Sequence, residues 1–313
     1  MIRAVVVDPG VAGRLALADV GDPDPAPSEA VVRVAAISLN RGEVRRAMGA
    51  EAGWRPGWDL AGTVEHAAPD GSGPQAGTRV VGFVPSGAWA EVVPVTTRAL
   101  ALLPDEVTFA QAATLPVAGL TALYALEHGG SLLDRSVLIT GATGGVGYFA
   151  CQLAHEAGAR VTAVVRRPDQ VEMVRSAGAD HVVVTDDASR AAAYGPFDHI
   201  LDSVGGRTLA NVLTMAAQGA TCVAFGASEA SEVTFNVSRF HATGGISLYG
   251  FILFYEAQTH PVSAGLARLA KLVKEGRLRP LVSVEAPWDK VAGVAQQLIN
   301  RQYAGKAVLH VAP

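Results

Sequence analysis

Roughly the first hundred residues alternate short apolar, β-branched runs with Pro- and Gly-rich breaks. Ala4–Val7, Ala30–Ala36, Thr63–Glu65, Arg79–Phe83 and Ala90–Val95 read as strands. Asp22–Pro27 and Asp70–Gly77 read as turns between them. Helical spacing is confined to Arg41–Met48. This stretch predicts a small β-rich unit.

The pattern changes near Pro104. Phe109–Leu115 and Thr121–Leu126 carry helix formers, and from Ser136 to Phe251 strand-like and helix-like segments alternate. The strands are predicted at Val137–Thr140, Val161–Val165, Val182–Val184, His199–Ser203, Thr221–Phe225 and Ile246–Gly250. Helices are predicted at Val146–Ala157, Asp169–Ala177 and Leu209–Ala217. Such alternation calls for right-handed crossovers and therefore a doubly wound parallel sheet with helices on both faces. Beyond Phe251 the pattern predicts helices at Ala264–Glu275 and Val291–Arg301 and strands at Leu281–Val284 and Ala307–Val311. The fold class is α/β, with two domains expected for 313 residues.

Composition narrows the function. Apolar residues make up 50% and charged residues 17%, which excludes a disordered chain. Two cysteines exclude a disulfide scaffold. A net charge of −4 leaves no electrostatic footprint for nucleic acid. No apolar run reaches the ~18 residues of a membrane span, and the start MIRAVVVDPG is too short for a secretory core. A cytoplasmic protein with no membrane or nucleic-acid partner is expected. Cys151 and Cys222 have no Cys or His at ligand spacing, and His66, His155, His181 and His199 are scattered. No metal is expected, and both thiols read as small core residues.

The sharpest motif is Gly141-Ala142-Thr143-Gly144-Gly145-Val146-Gly147, which follows a predicted strand and opens a predicted helix. Glycines allow a tight turn and close approach of backbone to a pyrophosphate, which then meets the free N–H groups of the helix start. At the end of the next strand, where NAD sites carry an acid for the ribose hydroxyl, stand Val165, Arg166 and Arg167. Guanidinium groups suit a 2′-phosphate, so the cofactor read from these residues is NADPH.

At this point the chain resembles the medium-chain dehydrogenase/reductase superfamily, and within it the zinc-independent quinone oxidoreductase branch. The resemblance runs the length of the chain. It is carried by Ile37-Ser38-Leu39-Asn40-Arg41-Gly42-Glu43, Pro56-Gly57-Trp58-Asp59-Leu60-Ala61-Gly62, Gly77-Thr78-Arg79-Val80-Val81-Gly82 and Gly119-Leu120-Thr121-Ala122. The glycine loop, Asp202-Ser203-Val204-Gly205-Gly206 and Gly305-Lys306-Ala307-Val308-Leu309 complete it. It implies a GroES-like catalytic domain from residues 1–110 and 251–313, with a Rossmann domain for NADP(H) over 111–250. It also implies a homodimer joined through the strand Ile246–Gly250.

The resemblance further implies the site. Asn40 and Thr121 are expected beside nicotinamide and substrate. Ser203, Val204, Phe225, Gly226, Ala227, Tyr249, Gly250 and Phe251 are expected along the cofactor, and Lys306 on a cofactor phosphate. Trp54, Trp58 and Phe83 are candidates for an apolar wall. Asn40 and Trp58-Asp59 stand where zinc members of the superfamily carry ligands. Some relatives have a tyrosine proton donor, but Ala47–Arg55 has none. Others place a tyrosine against the 2′-phosphate where this chain has Thr185.

Hydride reduction of an isolated ketone needs its oxygen polarised, which zinc does as a Lewis acid. Without zinc the acceptor must spread the charge itself, as quinones and α,β-unsaturated carbonyls do. The expected activity is therefore NADPH-dependent reduction of a small electrophile, a quinone or enone. The alternatives are an enoyl-thioester or polyketide-type enoyl reductase, and a non-enzymatic NADPH-binding sensor or structural protein. A short-chain reductase is disfavoured because Tyr303 and Lys306 lack the required spacing.

Overall fold

The computed structural model describes residues 1–311. The chain forms two compact units, Met1–Leu120 with the chain from Ala257 onward, and Thr121–Glu256.

In the first unit β1 (Ile2–Val7) pairs antiparallel with β2 (Leu15–Val20). The main sheet uses β3 (Glu29–Ser38), β4 (Asp59–His66), β5 (Arg79–Phe83), β6 (Val92–Thr96) and β7 (Leu100–Leu102). The helix Arg41–Gly49 lies between β3 and β4 in sequence. A Cβ at Gly62 would sit 2.1 Å from the Arg33 carbonyl oxygen. Glycine is therefore needed where β3 and β4 approach and their register shifts.

The second unit is a six-stranded parallel sheet: β8 (Ser136–Ile139), β9 (Arg160–Val165), β10 (His181–Val184), β11 (Phe197–Asp202), β12 (Ala216–Ala224) and β13 (Ser247–Gly250), in the order β10-β9-β8-β11-β12-β13. This is the order of a doubly wound dinucleotide-binding sheet, with its switch point between β8 and β11. Strands covered on both faces are nearly continuously apolar, and β9 is buried along Val161–Val165. Leu138, Val164, Phe197, Ile200, Leu209, Val212 and Cys222 share one core.

The chain then returns to the first unit. There β14 (Val282–Pro287) and β15 (Lys306–His310) complete a sheet ordered β14-β15-β3-β4-β5-β7, with β6 also against β3. The pairing of β15 with β3 explains why the terminal Gly-Lys motif lies beside the segment that ends at Asn40.

The predicted strands and main helices recur with shifted ends. β2 and β7 escape the hydrophobic pattern, since β2 is mostly half-exposed and β7 has only three residues. The short helix Val237–Ala242 was not predicted from sequence, because it buries none of its residues.

Candidate active site

The glycine loop caps the carboxyl end of β8. Gly141 has φ +59°, and a Cβ there would meet Ser203 Oγ at 2.3 Å. A Cβ at Gly147 would lie 2.4 Å from the Gly141 carbonyl oxygen. The Gly144 N–H donates to the Gly141 carbonyl at 3.0 Å, and the Ala142 N–H to the Val164 carbonyl at 3.4 Å. Ala142, Thr143, Gly144, Gly145 and Val146 thus lead directly into the helix Gly145–Glu156, with Gly144 at its N-cap. This is a backbone cradle at a helix start, and it fits a dinucleotide pyrophosphate.

Across the switch point, Asp202 orders the opposing turn. Thr140 Oγ1 donates to Asp202 Oδ1 at 2.6 Å, and the Val204 and Gly205 N–H groups donate to Oδ2 at 3.2 and 2.8 Å. The Asp202 side chain is fully buried, and burial pushes its carboxyl above the ordinary value. The Phe225 N–H bonds the Asp202 carbonyl at 2.9 Å, and the Ser228 N–H bonds the Ser203 carbonyl at 3.2 Å. A Cβ at Gly226 would be 2.9 Å from that Ser203 oxygen. Ser203, Val204, Phe225, Gly226 and Ala227 therefore gather at the same carboxyl edge as the glycine loop. The Phe251 N–H bonds the Ala224 carbonyl at 2.9 Å, bringing Phe251 and Gly250 to that edge. Asp202 lay inside a motif already noted. Its signal was an acid ending an apolar strand just before two glycines.

Tyr249, also expected here, has its hydroxyl committed. It donates to Glu256 Oε1 at 2.5 Å, and its ring lies 4.1 Å from that of His128. The hydrogen bond to Glu256 pushes the phenol up to about 12.

The structure separates the two arginines predicted to read a phosphate. Arg166 lines a cavity of about 440 Å³ with Thr185, Asp186, Asp187, Arg190 and Arg207. Arg167 is not on its wall; its Nε donates to Asp169 Oδ1 at 3.2 Å. Of the two neighbouring arginines, only Arg166 lines this cavity. Arg190 and Arg207 were missed, since they sit far along the chain from the glycine motif.

In the first unit, Asn40 begins the helix Arg41–Gly49, and Glu43 reaches back to accept its backbone N–H at 2.6 Å. Asn40 Nδ2 donates to Glu43 Oε1 at 3.1 Å and to Asp59 Oδ2 at 2.7 Å. Lys306 Nζ donates to Asn40 Oδ1 at 2.5 Å, to the Leu39 carbonyl at 2.9 Å and to Asp59 Oδ2 at 3.3 Å. Asp59 also accepts from Ser38 Oγ at 2.6 Å and from the Val117 N–H at 2.9 Å.

Lys306 is buried, and all three ammonium protons have acceptors in its own unit, so none is left for a cofactor phosphate. Both amide protons of Asn40 go to the Glu43 and Asp59 carboxyl groups, and its oxygen accepts from Lys306. Burial, followed by the nearby Asp59 charge, raises Glu43 well above its ordinary value. The Glu43–Asp59 cluster escaped sequence reasoning because its residues look like ordinary cap and turn positions.

Thr121 is buried near the start of the helix Leu120–Glu127. Trp58 packs so closely on the helix Arg41–Gly49 that a Cβ at Gly42 would be 2.9 Å from its Cη2. The Arg46 guanidinium covers Trp54 at 5.1 Å, and Phe83 is buried.

Among the described residues no three His, Cys, Asp or Glu side chains gather as a metal site. The thiols are core residues, and burial pushes Cys151 up to about 12. His199 Nε2 is spent on the Ala125 carbonyl at 2.9 Å. Among the described residues no helix is long and apolar enough to cross a membrane.

Residues 26–105 match the alcohol dehydrogenase GroES-like domain family, and residues 145–270 match the zinc-binding dehydrogenase family. A mycocerosic acid synthase-like polyketide synthase of Mycobacterium tuberculosis is 30% identical over 325 residues, covering 99% of this chain. The chain spans only 15% of that relative's length. The human mitochondrial NAD(P)H oxidoreductase RTN4IP1 is 32% identical over 281 residues, with 82% of this chain and 70% of that protein covered. Among solved structures, a mycobacterial quinone oxidoreductase superposes with a TM-score of 0.89 at 27% identity, covering 99% of this chain and all of that one. A mycobacterial protein solved in complex with NADPH matches with the same TM-score, 0.89, and the same identity, 27%.

Proposed function

Because the chain belongs to the medium-chain dehydrogenase/reductase superfamily, we propose that it is an NADPH-dependent oxidoreductase that works without zinc and reduces quinones or α,β-unsaturated carbonyl compounds. The observation that carries this reading is the Gly141–Gly147 loop facing Ser203 across the switch point, with Val165 and Arg166 where an NAD site would carry an acid.

Bound NADPH supplies a hydride. The glycine loop and the start of the helix Gly145–Glu156 hold the pyrophosphate. Ser203, Phe225, Gly226, Ala227, Gly250 and Phe251 line the cofactor at the strand ends. Asn40 is the substrate contact of the first unit, and the buried Lys306 and Asp59 hold its amide in one orientation. Ala47–Arg55 carries no tyrosine where some relatives have a proton donor, and water serves as the proton source. An acceptor that delocalises its own charge needs no metal, which favours conjugated carbonyls over isolated ketones.

The similarity to a polyketide synthase over 99% of this chain supports a second reading, an enoyl-thioester substrate. One assay separates the readings. NADPH oxidation is followed with a naphthoquinone, a simple enone, an enoyl thioester and a saturated ketone, each with and without chelator. Chelator-insensitive turnover of quinone or enone is expected. Turnover of the ketone alone, lost with chelator, would overturn the proposal. Tight NADPH binding with no turnover would replace it with a sensor role.

The proposal extends to assembly and place. β13 is the edge of its sheet, with Leu248, Ile252 and Tyr255 exposed near it. Such an edge invites pairing, and we assign it to a homodimer. Two free, buried thiols suit a reducing compartment such as the cytoplasm.

A further inference from the structure

We propose that Arg190 and Arg207, together with Arg166, form the site that reads the phosphate on the adenosine ribose, and that Arg167 takes no part. This inference rests on the dinucleotide reading above and goes beyond it by naming the residues that discriminate between cofactors.

Three arginines from separate stretches line one cavity of about 440 Å³. Arg166 follows β9, Arg190 lies in the short turn Ser189–Tyr194 after β10, and Arg207 is in the first turn of the helix Gly206–Leu213. Among the described residues none of the three pairs with a carboxylate. Arg190 has one bond, to the Val184 carbonyl at 3.3 Å. Three arginines outnumber the two acids on this wall, Asp186 and Asp187, so the cavity keeps a surplus of positive charge that an anion would offset.

The acids on the same wall do not fill that role. Asp187 accepts the Ser189 N–H at 3.0 Å and the Thr185 hydroxyl at 3.2 Å. Those local donors, Ser189 first, hold its carboxyl below the ordinary value, and Arg207 contributes least. Asp186 is exposed to solvent.

The cavity is also in the right place. The Ala142 N–H bonds the Val164 carbonyl, so the glycine loop is tied to β9 two residues before Arg166. A nucleotide whose pyrophosphate rests on the loop carries its adenosine ribose toward the ends of β9 and β10. Guanidinium groups suit a phosphate monoester there because each offers paired, charge-assisted donors. The shared chemistry is a phosphorylated adenosine ribose, and the position relative to the loop selects the 2′-phosphate of NADPH over the 3′-phosphate of a coenzyme A thioester.

The test uses the full chain and its variants Arg190→Ala, Arg207→Ala and Arg167→Ala. Each is titrated with NADPH, NADH, 2′-AMP and 3′-AMP, with circular dichroism recorded for all. The substituted side chains are exposed, so folding is expected to survive. Each of the first two variants should bind NADPH ~10- to 100-fold more weakly, as expected for a lost charge-assisted bond, with NADH affinity within ~3-fold. Arg167→Ala should leave both affinities unchanged. Unaltered NADPH affinity in the Arg190 and Arg207 variants, or a loss confined to Arg167→Ala, would overturn the assignment. Equal NADPH and NADH binding by the unaltered chain would overturn it while leaving dinucleotide binding intact. Failure to bind either dinucleotide would instead overturn the proposed function. Tighter binding of 3′-AMP than 2′-AMP would move the site to a coenzyme A-type ligand.

Discussion

Lys306 Nζ lies 3.3 Å from Asp59 Oδ2, with the two side chains 4% and 0% exposed. Asp59 receives additional donors from Ser38, Asn40 and Val117, so its charge is fully solvated by protein. The pair holds together the start of the helix Arg41–Gly49, the start of β4 and the start of β15.

Breaking that pair from one side strands a buried charge. Lys306→Met should destabilise the protein by ~3–5 kcal/mol, the usual cost of removing one partner of a buried ion pair. Lys306→Met combined with Asp59→Asn should recover part of the loss. Urea unfolding of the single and double variants measures both, and equal loss in the two would show that the lysine stem matters more than its charge.

Glu43 should make stability depend on pH. Its folded value is raised by burial and by Asp59, so the folded chain holds this proton to higher pH than the unfolded chain does. The associated stability is fully present below the ordinary value of 4.5 and is lost as pH rises through the folded value. The stability difference between wild type and Glu43→Gln should therefore shift against wild type as pH increases from 4.5. A difference independent of pH between about 4 and 9, measured by unfolding, would contradict the raised value.

The loop geometry predicts that Gly147→Ala forces Gly141 to move, since the added Cβ would stand 2.4 Å from its carbonyl oxygen. Loss of NADPH and NADH binding by ~10-fold or more is expected, because close backbone approach is what holds the pyrophosphate. Fluorescence titration of both cofactors checks it. A loss restricted to NADPH would point away from the pyrophosphate.

If β13 is a dimer edge, placing a charge there should dissociate it. Leu248 is 43% exposed, so Leu248→Lys should leave the fold intact. Sedimentation should show a dimer for wild type at micromolar concentration and a monomer for the variant. A monomeric wild type would remove the assembly proposal.

What was legible in the sequence was local. The Gly141–Gly147 loop announced itself because backbone conformation, helix start and ligand approach are set within a few adjacent residues. The alternation from Ser136 to Phe251 announced a parallel sheet because buried strands must be apolar on both faces.

Only the tertiary structure decided which polar side chains meet. Lys306 reads in sequence as a lone terminal lysine, yet it bonds Asn40 from 266 residues away because β15 pairs with β3. Arg166 and Arg167 read as equivalent, yet one joins Arg190 and Arg207 at a cavity and the other pairs with Asp169. Hydrophobic periodicity depends on neighbours one turn or two residues apart and is written in the chain. Partners for buried charge depend on sheet order and register, which exist only once the chain has folded.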